Sequence, residues 1–205
     1  MPRENKKLQS GLLEMKLTLS VEKQSQLLTY LHLLQKWNKA YNLTAITEFD
    51  KMISYHLLDS LSISPYLTGK NIVDVGSGAG LPGIPLAIYF PDKKFTLIDS
   101  VGKKTRFISC VMRELALQNV EVVNGRAEEY QTPHVFDTMI ARAVASIEVL
   151  VNIAQQLLRQ DGVLLMMKSD ELLSKQYQAR IEKLIVPDVN GSRTLVIMEK
   201  KLWQK

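Results

Sequence analysis

Helical hydrophobic periodicity characterises residues 1–70. Thr47, followed three positions later by Asp50, resembles a capping box and predicts that a further helix starts there. Pro65 and Gly69 predict the end of this helical region. The clearest periodicity, with apolar residues three or four positions apart and glutamine or lysine between them, is found at Leu27, Leu28, Leu31, Leu34 and Trp37.

From Asn71 onward, short β-rich runs alternate with segments that are long enough for helices. The predicted strands are residues 72–75, 95–98, 120–123, 135–140 and 163–167. The predicted helices are residues 84–90, 103–117, 147–158 and 172–184. Strands joined by crossover helices predict a parallel sheet with helices on both faces.

The alternation stops after residue 184. Residues 185–189 and 194–198 flank Asn190-Gly191, a dipeptide typical of tight hairpin turns. The sequence therefore predicts an α/β fold whose mostly parallel, seven-stranded sheet ends in an antiparallel hairpin. We divide the chain into an N-terminal helical extension, residues 1–70, and a ligand-binding domain, residues 71–205.

Composition excludes several classes of protein. Hydrophobic residues make up 46% and charged residues 23% of the chain, as in globular proteins rather than disordered ones. A single cysteine, Cys110, excludes an internal disulfide and a cysteine-cluster zinc site, and its apolar neighbours predict that it is buried. With only three histidines, we expect no metal site. The net charge of +5 is compatible with nucleic-acid binding without establishing it.

Neither end of the chain nor its apolar stretches suggest a membrane protein. The longest uncharged run, residues 75–91, is interrupted by glycines and prolines, which a spanning helix of roughly 20 apolar residues would not contain. The basic N-terminus is not followed by the apolar segment of a signal peptide. We therefore expect a cytoplasmic protein.

A glycine-rich turn follows the first predicted strand. Gly76, Gly78 and Gly80 would let the backbone turn tightly and approach a ligand closely, because no Cβ intervenes. The spacing is G-x-G-x-G rather than the dinucleotide-binding G-x-G-x-x-G, so the turn by itself could also serve packing alone.

Two acidic positions strengthen the prediction of a ligand site. Asp99 ends the second predicted strand, where a carboxylate can accept hydrogen bonds from both ribose hydroxyls or cap the next helix. Glu128 follows the third strand and could bind an adenine amino group, with small Ala127 leaving room for the ring; it could equally be a surface acid near a helix start. Together with the glycines, these residues predict an adenosine site at the carboxyl ends of three neighbouring strands.

Over residues 33–199 the sequence resembles class I S-adenosylmethionine-dependent methyltransferases. More narrowly, it resembles the small-subunit ribosomal RNA guanine-N7 methyltransferases, also called the glucose-inhibited division protein B family. The segments that carry the resemblance are Trp37-Asn-Lys-Ala-Tyr-Asn-Leu-Thr, His56-Leu-Leu-Asp-Ser-Leu, Val73-Asp-Val-Gly-Ser-Gly-Ala-Gly-Leu-Pro-Gly-Ile-Pro-Leu-Ala, Lys103-Lys-Thr-Arg-Phe, Gly125-Arg-Ala-Glu and Ala141-Arg-Ala-Val-Ala.

The resemblance implies a Rossmann-like methyltransferase domain in residues 71–205, S-adenosylmethionine as cofactor, and N7 of one guanine in the 530-loop hairpin of 16S ribosomal RNA as target. The substrate would be 16S RNA or a 30S subunit precursor, with no obligate protein partner. No general base is assigned, since N7 already carries a lone pair; Arg142 would face both cofactor and base and is the one candidate for an electrostatic role. The implied cofactor-binding residues are Gly76, Gly78, Gly80, Leu81, Asp99, Ala127, Glu128 and Arg142.

Basic residues near the predicted strand ends are candidates for binding RNA phosphates. They are Lys103, Lys104, Arg106 and Arg126, of which the first three could instead form a solvated first turn of a helix. In the N-terminal region, Tyr41, Asn42, His56 and Asp59 lie in family-like segments and could shape the substrate side. Alternatively, His56 and Asp59, three positions apart, could bond each other.

Two other functions remain compatible with parts of the sequence. An NAD-dependent oxidoreductase would share the glycine turn and Asp99 but would not predict the terminal hairpin. A second alternative is a non-catalytic RNA-binding or ribosome-assembly factor with a methyltransferase fold. The intact set of Gly76, Asp99 and Glu128 argues against it, but only turnover decides.

Overall fold

The computed structural model describes residues 3–131, 135–142, 146–168 and 178–203. Its N-terminal part is helical: α1 is Arg3–Glu14, α2 is Val21–Tyr41, and α3, Phe49–Met52, continues through a π-helical segment, Ile53–Leu58, into α4, Asp59–Leu61. A short 3₁₀ turn, Ser64–Tyr66, leads to the sheet.

The ends of these helices only partly follow the sequence prediction. Ser20 caps α2 by accepting a hydrogen bond from the Lys23 amide, and Asn42 ends it in the left-handed conformation. The predicted capping box at Thr47 is wrong. The cap of α3 is Glu48, one residue later, and its side chain makes no capping hydrogen bond.

Seven strands form one sheet in the order β3-β2-β1-β4-β5-β7-β6. Strands β1 to β5 pair in parallel, whereas β7 runs antiparallel to β5 and β6 antiparallel to β7, which confirms the predicted fold class. The strands are β1 Asn71–Val75, β2 Lys94–Asp99, β3 Val120–Asn124, β4 Phe136–Arg142, β5 Leu158–Lys168, β6 Arg180–Leu184 and β7 Arg193–Glu199. The helices that cross between them are α5 Gly83–Tyr89, α6 Gly102–Glu114 and α7 Ile147–Leu157, and further 3₁₀ turns are Ala127–Glu129 and Lys200–Leu202.

The terminal hairpin differs from the prediction. The helix predicted at residues 172–184 is wrong where the structure describes it, because Arg180–Leu184 is strand β6; residues 172–177 lie outside the described residues. Leu184 pairs with Arg193, so residues 185–192 form the connection and Asn190-Gly191 is not a two-residue turn. The outer edge of β7 needs hydrogen-bond partners, and pairing with β6 provides them, which overrides the local helical periodicity.

Alternation along each strand divides the core between two faces of the sheet. Ile72 contributes to a cluster that includes Leu27, Leu31 and other residues of the N-terminal helices, whereas its neighbour Val73 packs in the cluster with Leu150 of α7. The N-terminal helices therefore share a continuous hydrophobic core with one face of the sheet, and α7 covers the other.

Cys110 is partly exposed rather than buried, contrary to the sequence prediction. It lies at the margin of the buried side of α6, which is formed by Thr105, Phe107, Ile108 and Val111. Within the described part of the chain, no helix has the length and apolar character needed to cross a membrane.

Candidate active site

The register of the parallel strands brings the carboxyl ends of four strands to one edge of the sheet. Val75 pairs with Ile98 and also with Ala141, and Asp99 pairs with Asn124, so the carboxyl ends of β1 to β4 lie side by side. A cavity of about 530 Å³ opens above them. That volume is in the range of small-molecule sites.

The glycine turn after β1 is fixed to the end of β2. The amides of Gly76 and Ser77 both donate to the carbonyl of Ile98, at 2.9 and 3.1 Å. Gly76 and Gly78 adopt positive φ angles of 68° and 61° and line the cavity. A Cβ atom built on Gly78 would have no neighbour nearer than the Gly76 carbonyl oxygen at 4.0 Å, so this backbone lies open to a ligand.

Gly80 has a different role from the other two glycines. Its φ is also positive, at 86°, but it is not among the residues that line the cavity. A Cβ atom here would lie 2.6 Å from Cγ1 of Ile84, so the glycine allows the turn to pack against the start of α5. The structure therefore does not bring this predicted cofactor-binding residue to the cavity, while its neighbour Leu81 does line it.

Asp99 ties the glycine turn to the loop that follows β2. One carboxylate oxygen accepts a hydrogen bond from the Gly78 amide at 2.9 Å, and the other accepts one from the Val101 amide at 2.8 Å. The ammonium group of Lys104 lies 3.4 Å from the first oxygen. Asp99 is buried and lines the cavity. Each carboxylate oxygen can accept two hydrogen bonds, so the oxygen bound by Val101 keeps one unused lone pair, while Gly78 and Lys104 occupy the other oxygen.

The third strand and α7 form another wall. Gly125, Arg126, Ala127 and Glu128 follow β3 and line the cavity; Ala127 is buried, and Arg126 and Glu128 are exposed. A Cβ on Gly125 would meet nothing within 4 Å. Apolar side chains of α7 complete this wall, namely Val149, Leu150 and Ile153.

The N-terminal region supplies a further wall of the cavity; of the residues named for it from the sequence, His56 lines the cavity, whereas Tyr41, Asn42 and Asp59 do not. Leu43 and Thr44, in the loop after α2, line the cavity together with His56 of the π-helical segment. The hydroxyl of Tyr30, buried in α2, donates to the carbonyl of Ala79 at 2.8 Å and so holds the glycine turn from behind. Burial raises the pKa of Tyr30, so the phenol stays protonated and remains a donor. No sequence signal distinguishes Tyr30 from the other core residues of α2.

The predicted bond between His56 and Asp59 is wrong. Nε2 of His56 lies 3.0 Å from the Thr44 hydroxyl, whereas the carboxylate of Asp59 faces two arginines. Nη1 of Arg142 lies 3.4 Å from one oxygen of Asp59, and Nε of Arg193 lies 3.1 Å from the other.

Buried titratable groups surround Arg142, which itself lines the cavity at the end of β4. Burial, reinforced by the charge of Arg142, lowers the pKa of His56 to about 4, so the imidazole is neutral at pH 7. Burial raises the pKa of Asp74 to about 7, although a hydrogen bond from the Gly83 amide at 2.9 Å opposes the rise. Burial also raises the pKa of Asp59, against the charges of Arg142 and Arg193.

The predicted RNA-binding residues fall into two pairs. Lys104 and Arg126 line the cavity. Lys103 and Arg106 do not; the ammonium group of Lys103 donates to the Tyr41 carbonyl at 2.7 Å, and Arg106 is exposed on α6.

Residues 143–145 of the family-like segment at Ala141 lie outside the described residues. No group of three potential metal ligands is present in the part of the chain that the structure describes.

Comparison with known proteins identifies close relatives over nearly the whole chain. The model of a family described as GidB, rRNA small subunit methyltransferase G, matches residues 23–200. The ribosomal RNA small subunit methyltransferase G of Marinomonas sp. (strain MWYL1) is 45% identical, covering 95% of this chain and 97% of the relative. Those of Marinobacter nauticus and Pseudomonas aeruginosa (strain LESB58) are each 48% identical, with 94% of both chains covered.

Solved structures share the architecture at much lower identity. An S-adenosylmethionine-dependent O-methyltransferase from Thermotoga maritima has a TM-score of 0.56 at 15% identity, covering 72% of this chain and 66% of that one. The precorrin-6y C5,15-methyltransferase of Geobacter metallireducens has a TM-score of 0.55 at 14% identity, covering 78% and 92%. The fold is therefore that of S-adenosylmethionine-dependent methyltransferases.

Proposed function

Because the chain belongs to the family of rRNA small subunit methyltransferase G, we propose that it transfers a methyl group from S-adenosylmethionine to N7 of a guanine in the 530-loop hairpin of 16S ribosomal RNA. The observation that supports the cofactor part most directly is the position of the Asp99 carboxylate beside the open backbone of Gly78 at one cavity. Open α/β sheets bind ligands at this edge.

The residues around the cavity fit this cofactor. Asp99 has one lone pair left for a ribose hydroxyl, and a second hydroxyl would take the place of the exchangeable Lys104 ammonium group. The absence of a Cβ at Gly78 and Gly125 leaves room for close approach of the methionine moiety and of the nucleoside, respectively. Small Ala127 and the apolar residues of α7 suit an adenine ring, with Glu128 at its polar edge. When bound, S-adenosylmethionine supplies a methyl group activated by a positively charged sulfur.

This chain's contribution to the proposed reaction is mainly orientation. Guanine N7 attacks with its own lone pair, so no side chain has to remove a proton. His56 is neutral at pH 7 according to its lowered pKa, but its Nε2 is engaged by Thr44 and its Nδ1 is buried. Alignment of the reacting atoms contributes up to about 7–11 kcal/mol in favourable cases. Arg142 places a guanidinium group at the cavity wall, where it is paired with Asp59.

In this proposal residues 71–205 form the cofactor-binding domain and the helical extension 1–70 supplies the substrate side through Leu43, Thr44 and His56. Lys104 and Arg126 would bind phosphates at the cavity, and Lys103 and Arg106 phosphates farther out. The N7 atom of a guanine within an A-form duplex lies in a deep, narrow groove, so the target base must be in a loop or turned outward. The substrate would be 16S RNA or a 30S precursor in the cytoplasm.

The test is methyl transfer from labelled S-adenosylmethionine to protein-free 16S RNA and to 30S particles, both from a strain that lacks the endogenous enzyme. Label recovered as 7-methylguanosine within the 530 loop is the expected result, and the better substrate reveals the stage of assembly. Label in another nucleotide would overturn the N7 or 530-loop assignment. Cofactor binding without transfer to either substrate would favour a non-catalytic RNA-binding factor, and binding of NAD instead would favour an oxidoreductase.

A further inference from the structure

One carboxylate joins three parts of the chain next to the cavity. Asp59 begins α4 in the N-terminal region, Arg142 ends β4, and Arg193 begins β7. The two oxygens of Asp59 divide between the two guanidinium groups, with Nη1 of Arg142 at 3.4 Å and Nε of Arg193 at 3.1 Å. Asp59 itself does not line the cavity, whereas Arg142 does.

The environment makes this arrangement costly to maintain for stability alone. The side chain of Asp59 is only 8% exposed, and those of both arginines are 25% exposed. Burial opposes ionisation of the carboxyl group, and the two arginines favour it. Replacing a buried ion pair by apolar residues is often neutral or stabilising, so a functional reason for the cluster is worth testing.

We propose that Asp59 is a positioning residue for methyl transfer, which holds the Arg142 guanidinium in place at the cavity and offsets part of its charge. This inference rests on the proposed function. Arg193, stacked over the ring of Tyr55 at 5.8 Å, anchors the other oxygen of the carboxylate and so fixes its orientation. The N-terminal helices and the terminal hairpin are thereby connected to the reacting side of the site.

The charge balance of the reaction explains why such an offset matters. Transfer to N7 forms a nitrogen–carbon bond with the N7 lone pair, and the electron pair of the broken carbon–sulfur bond remains on sulfur. No proton moves, and one unit of positive charge passes from sulfur to the guanine ring. An uncompensated Arg142 beside the base would oppose that transfer of charge, and the carboxylate of Asp59 reduces this opposition.

The experiment compares Asp59→Asn with Asp137→Asn. Asp137 is also buried, accepts hydrogen bonds from the amides of Lys70 and Asn71 and pairs with Arg159 at 2.6 Å, but it lies at the opposite edge of the sheet. It therefore controls for the general effect of neutralising a buried carboxylate. Cofactor binding stoichiometry counts the folded molecules in every preparation, and the maximal methylation rate is expressed per folded molecule.

We expect Asp59→Asn to lower kcat by about tenfold or more, and to change the cofactor Kd by less than about threefold. Asp137→Asn should keep kcat within about twofold. A second, independent measurement is the ¹⁵N NMR signal of the Arg142 guanidinium, assigned by its loss in Arg142→Lys. Asp59→Asn should shift this signal towards the position of a freely rotating arginine, and Asp137→Asn should leave it unchanged.

A kcat for Asp59→Asn within about threefold of the wild type, or an unchanged Arg142 signal, would overturn the positioning role. An equal loss of kcat in both variants would assign the effect to stability instead. If the wild-type protein methylates no RNA, the proposed function fails, and the NMR comparison still decides whether Asp59 positions Arg142.

Discussion

Replacement of Asp99 by asparagine separates the structural role of this side chain from its proposed role in cofactor binding. The carboxylate orders the glycine turn through the Gly78 amide and orders the next loop through the Val101 amide. In the proposed complex it also accepts hydrogen bonds from two ribose hydroxyls, one of which takes the place of the Lys104 ammonium group. Asparagine has the same shape but keeps one acceptor oxygen and presents an N–H group to the other backbone amide, and it carries no charge.

The expected magnitudes follow from these contacts. A hydrogen bond to a charged group contributes about 1.5–3 kcal/mol, so loss of the bond to one amide should lower the free energy of unfolding by about that amount. Two such bonds to ribose correspond to about 3–6 kcal/mol of binding. Because asparagine keeps one neutral acceptor, we expect the lower end of that range, about a hundredfold weaker binding of S-adenosylmethionine.

Asp137→Asn is again the matched control, since Asp137 is 4% exposed and Asp99 6%, and each accepts hydrogen bonds from two backbone amides. Urea unfolding should show a similar loss of stability in both variants. Isothermal titration calorimetry should show weaker cofactor binding only for Asp99→Asn. If Asp99→Asn binds the cofactor within about threefold of the wild type, Asp99 serves only the turn, and the assignment of the ribose site is wrong.

Three further measurements test other parts of the site. Gly78→Ala and Gly191→Ala should both lose about 1 kcal/mol of stability or slightly more, since both glycines have positive φ angles and open Cβ positions. Only Gly78→Ala, at the cavity, should weaken cofactor binding. Equal binding by both variants would contradict the close approach of the cofactor to the Gly78 backbone. His56, with its pKa lowered to about 4, binds a proton more readily when the chain is unfolded, so its contribution to stability should fall by about 3 kcal/mol as the pH decreases from about 6.5 to about 4. Urea unfolding should therefore show that the wild type loses stability relative to His56→Gln over this pH range. A constant difference between the two proteins would refute the assignment of a neutral His56. Arg126→Ala should weaken RNA binding and reduce the magnitude of the slope of log K, the RNA association constant, against log salt concentration by about 0.7. Arg113→Ala, on the last turn of α6, should change neither quantity. Equal slopes for the two variants would show that Arg126 does not contact a phosphate.

Local sequence was sufficient to predict the parallel sheet and several of the residues that meet at the cavity. Strands β1 to β5 and helices α5 to α7 each carry their own periodicity, and parallel pairing with crossover helices places their carboxyl ends at one edge. Gly76, Gly78 and Asp99 therefore come together because the two glycines lie in the turn that follows β1 and Asp99 ends the neighbouring strand β2. The same logic failed for Gly80, since turn sequence does not tell which glycine faces a ligand and which faces the core.

Only the tertiary structure decided the identity of β6 and the contacts between the N-terminal helices and the sheet beside the cavity. Residues 180–184 became an edge strand because β7 offers unpaired backbone groups, a condition that lies outside the segment itself. Asp59 meets Arg142 and Arg193, 83 and 134 positions away, and Tyr30 holds Ala79 from 49 positions away. Hydrogen bonds and charge pairs act over a few ångströms of space, whereas periodicity reports only on neighbours along the chain, so these partners became visible only once the helices were packed on the sheet.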